Sequence, residues 1–469
     1  MELKRNYHLR LQDEEKLANL TKEDPNLVLS EKRPQFTPEF FKMIGIDYEA
    51  EVLGKGYLKL FWSDFIVEEI ASDGRIISIA PTEENHQPSF SQEKPKTEAD
   101  LIKQGMPTFE AIERLSEALN LPVNAINQSG LKDSGAITSQ EISFNGLRPE
   151  KLQNLQIPNL FLKNIHERKG VMEVGNLYGN RFTILVRGSG VEKEKLQAKI
   201  NELNTQGFLN FYSLQRFGSR FYSHKIGEEI LKGNYQEAVK MFLIGESPHE
   251  MNVFRKLRGE ARNYWGNWER ISEIYNRFPY FLYYELVALE SLKETRIGFV
   301  KALQSISEQT KLFVYAYFSF LFNKLLSKKI SEGQIPQELP LLRDYPEIRN
   351  EYATILSHEE MSRLRFYHQG LEFLNLPKIQ RVKTQIIPKI WSVSDTNSGY
   401  VFHFDLEKGA YATTLLSEFF HLFQGKPVPD WVSGEEVDIR QPLGYPPIKE
   451  TISKFPIAEK KEGIDLSEG

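Results

Sequence analysis

The chain changes texture twice along its length. From Gly54 to about Gly218 it consists of short β-branched and aromatic runs punctuated by glycine turns. From Ser219 to about residue 390 the patterns are helical, and strand character returns at Tyr400–Leu406. That order calls for a sheet-containing domain together with a separate, mostly helical module. A length of 469 residues points the same way, because it exceeds what one hydrophobic core usually serves.

Within the first part, Gly56–Leu60 and Phe65–Ile70 read as short strands, and Arg75–Ala80 as a third after the Asp73-Gly74 turn. Residues 81–106 lose periodicity and read as a loop or insertion. A helix is predicted from Pro107-Thr108, with Phe109, Ile112, Leu115 and Leu119 as its apolar stripe. Strands are predicted again over Ala136–Phe144, Val171–Val174 and Gly179–Arg187, followed by an amphipathic helix over Val191–Thr205 that Gly207 closes. The apolar run Leu312–Phe322 is too short to cross a bilayer and reads as a buried helix. Residues 1–50 show only a polar lead-in with no signal peptide, and the tail after Gly425 is rich in proline and charge.

The chemistry concentrates in Asn127–Phe144. Ser129, Gly130, Asp133, Ser134 and Gly135 are turn formers, so Asp133 and its neighbour Lys132 sit on a tight loop that feeds a strand. A loop on a rigid scaffold is a common place for a catalytic group, although an aspartate there can simply close the turn. A second cluster, Gly207–Gly218, is dense in aromatics and amides with Arg216, a set suited to stacking on bases but equally common in cores. Lys378, Arg381, Lys383 and Lys389 form a run without acidic residues, either a solvated face or a track for a phosphate backbone.

Other chemistries are disfavoured by what is missing. There is no cysteine, which excludes disulfides, thiolate metal sites and a cysteine nucleophile and fits a reducing, cytoplasmic setting. No phosphate-binding glycine loop, dinucleotide fingerprint, serine elbow or His-Glu-x-x-His motif occurs, and no histidines have ligand spacing. The net charge of −5 means that any polyanion must meet a local patch.

Ser129–Gln140 resembles the Gly-x-Lys-Asp-x-x-Ala-x-Thr-x-Gln signature of the TruD family of tRNA pseudouridine synthases. Asp64–Glu69 resembles the family's Asp-Phe-x-Val-x-Glu motif, and Asn210–Gly218 its Asn-Tyr-Phe-Gly-x-Gln-Arg-Phe-Gly motif. Gly409–Thr413 with Glu418 resembles its Gly-Ser-Tyr-Ala-Thr block, and Gly179–Phe182 its Gly-Asn-x-Phe. Tyr212 and Ser213 stand where the family usually has Phe-Gly, and Ser417 where it often has arginine.

The resemblance implies an α/β fold of the α+β type: a pseudouridine synthase catalytic domain with a largely antiparallel mixed sheet, interrupted by an inserted, mostly helical TruD-type domain. The expected divisions are an N-terminal extension over 1–50, a first catalytic part over 51–218, the insertion over 219–390 and a second catalytic part over 391–469. It further implies isomerisation of a uridine in RNA, in tRNA at position thirteen, with no cofactor and no metal. Asp133 matches the catalytic aspartate, and Lys59 is the candidate cation beside it. Phe65, Glu69, Lys132, Asn210, Tyr212 and Arg216 are the candidate substrate-binding residues. RNA is the expected partner, without membrane involvement, and a monomer the expected state. The rival readings are a catalytically idle RNA-binding or RNA-folding protein on the same scaffold, and a glycosidase-like enzyme that cleaves without rejoining. The glycosidase would normally show two carboxylates.

Overall fold

The computed structural model describes residues 7–31, 35–81, 96–167, 177–295, 298–374 and 378–456. Contacts divide the chain into two compact units, one drawn from 52–208 and 387–468, the other from 1–51 and 209–386. The division falls at Leu209, so Asn210–Gly218 and the N-terminal segment are grouped with the helical unit.

The first unit is organised by a mixed sheet. Leu177–Arg187 runs antiparallel to Phe65–Ala71 on one side and to Gly399–Glu407 on the other. Phe65–Ala71 lies parallel to Ile137–Asn145, which pairs antiparallel with Lys96–Gln104, and Leu160–Glu167 follows. Gly54–Tyr57 lies parallel to Phe420–Phe423, so most remaining pairings are antiparallel and the expected fold class is the observed one. Alternation along Phe65–Ala71 splits its side chains between two faces. Ile66 packs in a cluster with Ile102, Ile137, Leu185, Val401 and the C-terminal Ile439, Ile448 and Phe455. On the face shared by Phe65, Val67 and Glu69, Leu101, Ile142 and Phe144 are covered by Ala111, Ile112 and Leu115 of the helix Thr108–Leu119. Phe109 is 40% exposed and lies outside that stripe.

Several sequence expectations change. The strand Gly54–Tyr57 begins and ends earlier than Gly56–Leu60, because the chain turns at Lys59, whose φ of 57° is left-handed. Arg75–Ala80 is not a strand. It folds back on Phe65–Ala71 through a single bridge, Ile70 to Ile76, and the Glu68 carboxylate accepts from Ser78 Oγ and the Ile79 N–H. Of 81–106, residues 82–95 lie outside the described residues, while Lys96–Gln104 is a buried strand. Its sequence looks polar because its interior is polar. Asp100 takes a 2.6 Å bond from Asn164, and Gln104 gives one of 3.1 Å to Asn159. Hydrophobic alternation cannot reveal a strand whose buried groups satisfy each other by hydrogen bonds. Val171–Val174 lies outside the described residues.

In the helical unit the spine is Ser307–Ser331, which extends the apolar run Leu312–Phe322 in both directions. No helix among the described residues is long and apolar enough to cross a membrane. Ser223–Lys232 packs on this spine through Gly227, where a Cβ would stand 2.0 Å from the Phe313 carbonyl oxygen. The N-terminal segment holds the helix Tyr7–Glu23, missed because it is so highly charged. It docks by a side chain: buried Asp13 accepts from the Tyr280 N–H at 2.8 Å.

Candidate active site

The loop between Ile126–Gln128 and Ile137–Asn145 is fixed from beneath. Lys132 Nζ lies 2.6 Å from Glu69 Oε2, with both side chains almost fully buried. Ser129 Oγ donates to the other Glu69 oxygen at 2.7 Å. The Lys132 N–H donates to Thr108 Oγ1, which donates to Gln140 Oε1, and Gln140 Nε2 donates back to the Gly130 carbonyl. Buried Lys103 donates to the carbonyls of Asp133 and Met106 at 2.9 and 2.7 Å. Lys132 and Gln140 of the signature therefore hold the loop by interactions that would be costly to leave unpaired. Lysine at 132 is needed to satisfy a carboxylate inside the sheet face.

Asp133 differs from its surroundings. Its main chain is clamped while its side chain is 31% exposed, and Lys59 Nζ stands 3.8 Å from Oδ2. The left-handed backbone at Lys59 costs about 1–2 kcal/mol. Such local strain is often retained at functional positions. The ammonium also lies 4.7 Å from the ring centroid of Phe65, itself 1% exposed. Phe65 is thus a buried floor under Lys59. Asp64, the first residue of the same motif, forms two bonds of 2.7 and 2.8 Å with fully buried Arg187 and anchors the strand start.

Asn180 completes this face and was not among the residues expected from sequence. It lies directly across from Glu69, and its Oδ1 is buried with no hydrogen-bond partner among the described residues. An orphaned buried acceptor calls for an explanation. Gly179 before it is obligatory, since a Cβ there would stand 2.0 Å from the Leu406 carbonyl oxygen. An amide directly after a glycine in a strand was the available signal.

Lys59, Phe65, Glu69, Lys132 and Asp133 thus converge in the sheet unit, whereas Asn210, Tyr212 and Arg216 belong to the helical unit. There the Asn210 amide donates to the Lys383 carbonyl at 3.0 Å. Tyr212 is buried edge-on against Phe322, and its N–H donates to Asn323 Oδ1 at 2.9 Å. Arg216 lies with Cζ 5.3 Å from the Tyr212 ring centroid. Of the C-terminal block, Ala412–Leu416 forms a short buried helix, and Ser417 Oγ donates back to the Thr414 carbonyl.

The family model for tRNA pseudouridine synthase D (TruD) matches residues 49–341. The chain belongs to the TruD family. A Methanopyrus kandleri protein named probable tRNA pseudouridine synthase D is 31% identical over 71% of this chain and 87% of its own length. A Methanocaldococcus jannaschii protein, probable tRNA pseudouridine synthase D 1, is 26% identical over 79% of this chain and 97% of its own. A TruD crystal structure from Methanosarcina mazei shares the fold, with a TM-score of 0.56 at 22% identity, covering 81% of this chain and 97% of that one. The protein is accordingly an enzyme of the tRNA pseudouridine synthase class, and RNA is its partner. The loop, the Asp-Phe-x-Val-x-Glu strand and Gly179-Asn180 all lie within the matched span.

Proposed function

We propose that this TruD protein, acting as a monomer, converts the uridine at position thirteen of tRNA to pseudouridine with Asp133 as its catalytic carboxylate. The observation that carries the reading is the contrast at residue 133, a main chain held by Lys103 and a partly exposed carboxylate beside Lys59. The reaction breaks the C1′–N1 bond and forms a C1′–C5 bond. The hydrogen of C5 leaves to solvent, N1 gains one, and the product is an isomer of the substrate. Asp133 acts as a carboxylate whether it attacks the sugar or removes a proton from it, and the Lys59 ammonium stands 3.8 Å from it. The target base must leave its stack, at a cost of roughly a few kcal/mol. The unpartnered Asn180 oxygen is suited to accept from a uracil N–H or a ribose hydroxyl, which would remove its burial penalty when substrate binds. Glu69 and Lys132 keep the loop rigid, so that little ordering remains to be done during the reaction.

Tritium release from tRNA transcripts labelled at uridine C5 tests the proposal. The wild type should release one tritium per tRNA, and a transcript carrying cytidine at position thirteen should release none. Asp133→Asn should bind tRNA as the wild type does and release nothing. Release by Asp133→Asn at the wild-type rate would remove the aspartate from the mechanism.

A further inference from the structure

Burial alternates through the Asp133 loop. Lys132 and Ser134 are buried, while Leu131 and Asp133 turn outward. Successive residues of extended chain face opposite ways, so the alternation that frees the Asp133 carboxylate also frees the Leu131 side chain, with the two Cα atoms roughly 6–7 Å apart. Leu131 is 74% exposed, more than any other large hydrophobic residue among the described residues.

A single exposed leucine is ordinary on a surface, but this one stands on backbone fixed at both neighbours. The Gly130 carbonyl before it accepts from Gln140 Nε2 at 2.9 Å, and the Lys132 N–H after it donates to Thr108 Oγ1 at 2.9 Å. Leu177 closes on the same loop, with its two Cδ atoms 3.7 Å from where a Cβ on Gly130 would stand. The pairing of Leu177–Arg187 with Phe65–Ala71 slips between Ile70 and Ala71, which leaves Tyr178 as the bulged residue, 59% exposed, next to that contact. Bulges re-aim side chains, and this one turns an aromatic ring to solvent. Leu131, Asp133, Leu177 and Tyr178 all belong to the sheet unit.

A rigidly held leucine beside a carboxylate, with an open aromatic ring on the adjoining strand, suits a partner made of flat bases. A uridine that reaches Asp133 has left its stack, and the gap lies alongside the carboxylate. An apolar side chain entering the gap restores contact to the bases on either side, as wedges between base steps do. We infer that Leu131 is a positioning residue of this kind, a wedge that fills the place in the RNA stack vacated by the target uridine. The inference rests on Asp133 being the catalytic carboxylate, as proposed above.

The test is single-turnover pseudouridine formation on two tRNA transcripts, one intact and one with abasic residues on both sides of the target uridine, which then has no stack to leave. Leu131→Ala should react about ten- to a hundredfold more slowly than the wild type on the intact transcript, and nearly as fast as the wild type on the abasic one. Leu131→Met, which keeps the apolar bulk, should recover most of the rate on the intact transcript. Thermal melts of the three proteins should coincide, because the side chain stands in solvent. A wild-type rate for Leu131→Ala on the intact transcript overturns the inference. Equal slowing on both transcripts also overturns it and makes the leucine a prop of the loop, and a change of oligomeric state in sedimentation overturns it in favour of a contact between copies. Pseudouridine formation that stops in Asp133→Asn upholds the parent reading in each of these cases. Turnover by Asp133→Asn at the wild-type rate removes that reading and the wedge with it.

Discussion

Lys132, a candidate substrate-binding residue by resemblance, has its ammonium buried against Glu69. Removing one partner leaves the other charge without compensation. Glu69→Ala should therefore destabilise the sheet unit by roughly 3–5 kcal/mol, as read from denaturant midpoints. The double change Glu69→Leu with Lys132→Met should recover much of that loss while still slowing turnover, because the loop would lose its orientation. Lys59 behaves differently, since it is paired across 3.8 Å at the edge of solvent. Lys59→Met should leave stability nearly unchanged and lower turnover by about 10², the usual scale for removing one electrostatic contact to a reacting group. An equal loss of tRNA binding would instead make Lys59 a gripping residue.

Among elements, Lys96–Gln104 is the informative strand because it buries charge. Burial pushes the Asp100 carboxyl up to about 6, with the bond from Asn164 and the nearby Lys163 and Arg75 opposing the shift. The folded value lies above the usual 3.8, so this group's contribution is fully present below pH 3.8 and is lost as pH rises through 6. Asp100→Asn should therefore gain stability relative to the wild type on moving from pH 4 to pH 7, measured by thermal melts at both. Identical pH dependence in the two proteins would mean that Asp100 titrates normally. The strand Leu177–Arg187 makes a steric prediction instead. Gly179→Ala must push a Cβ into the Leu406 carbonyl, so it should cost about 1–3 kcal/mol and shift Asn180 from its place beside Glu69.

At the scale of the whole molecule, acid stability should carry the mark of the helical unit. His224 is buried, stacked on Phe320 and edge-on to Phe217, and burial first, then Lys225, lowers its value from 6.5 to about 3. The neutral ring is favoured in the fold, so its contribution is present above pH 6.5 and is lost as pH falls from there toward 3. His224→Phe should flatten the acid limb of stability between those values. An unchanged limb would assign acid unfolding to other groups.

The local sequence determined the loop at Asp133, the strand that follows it and the long helix over Leu312–Phe322, because turn chemistry and apolar periodicity are properties of neighbouring residues. The spacing of Lys59 from Phe65 carried the pairing with Asp133 as an expectation from resemblance, and the two side chains do meet. Tertiary structure alone decided the rest. It buried Lys132 and Phe65, made a strand of the polar Lys96–Gln104, placed Asn180 beside Glu69 and docked the charged N-terminal helix through Asp13. Each of these depends on a partner distant in sequence. A buried polar group looks the same as an exposed one until the residue that satisfies it is known.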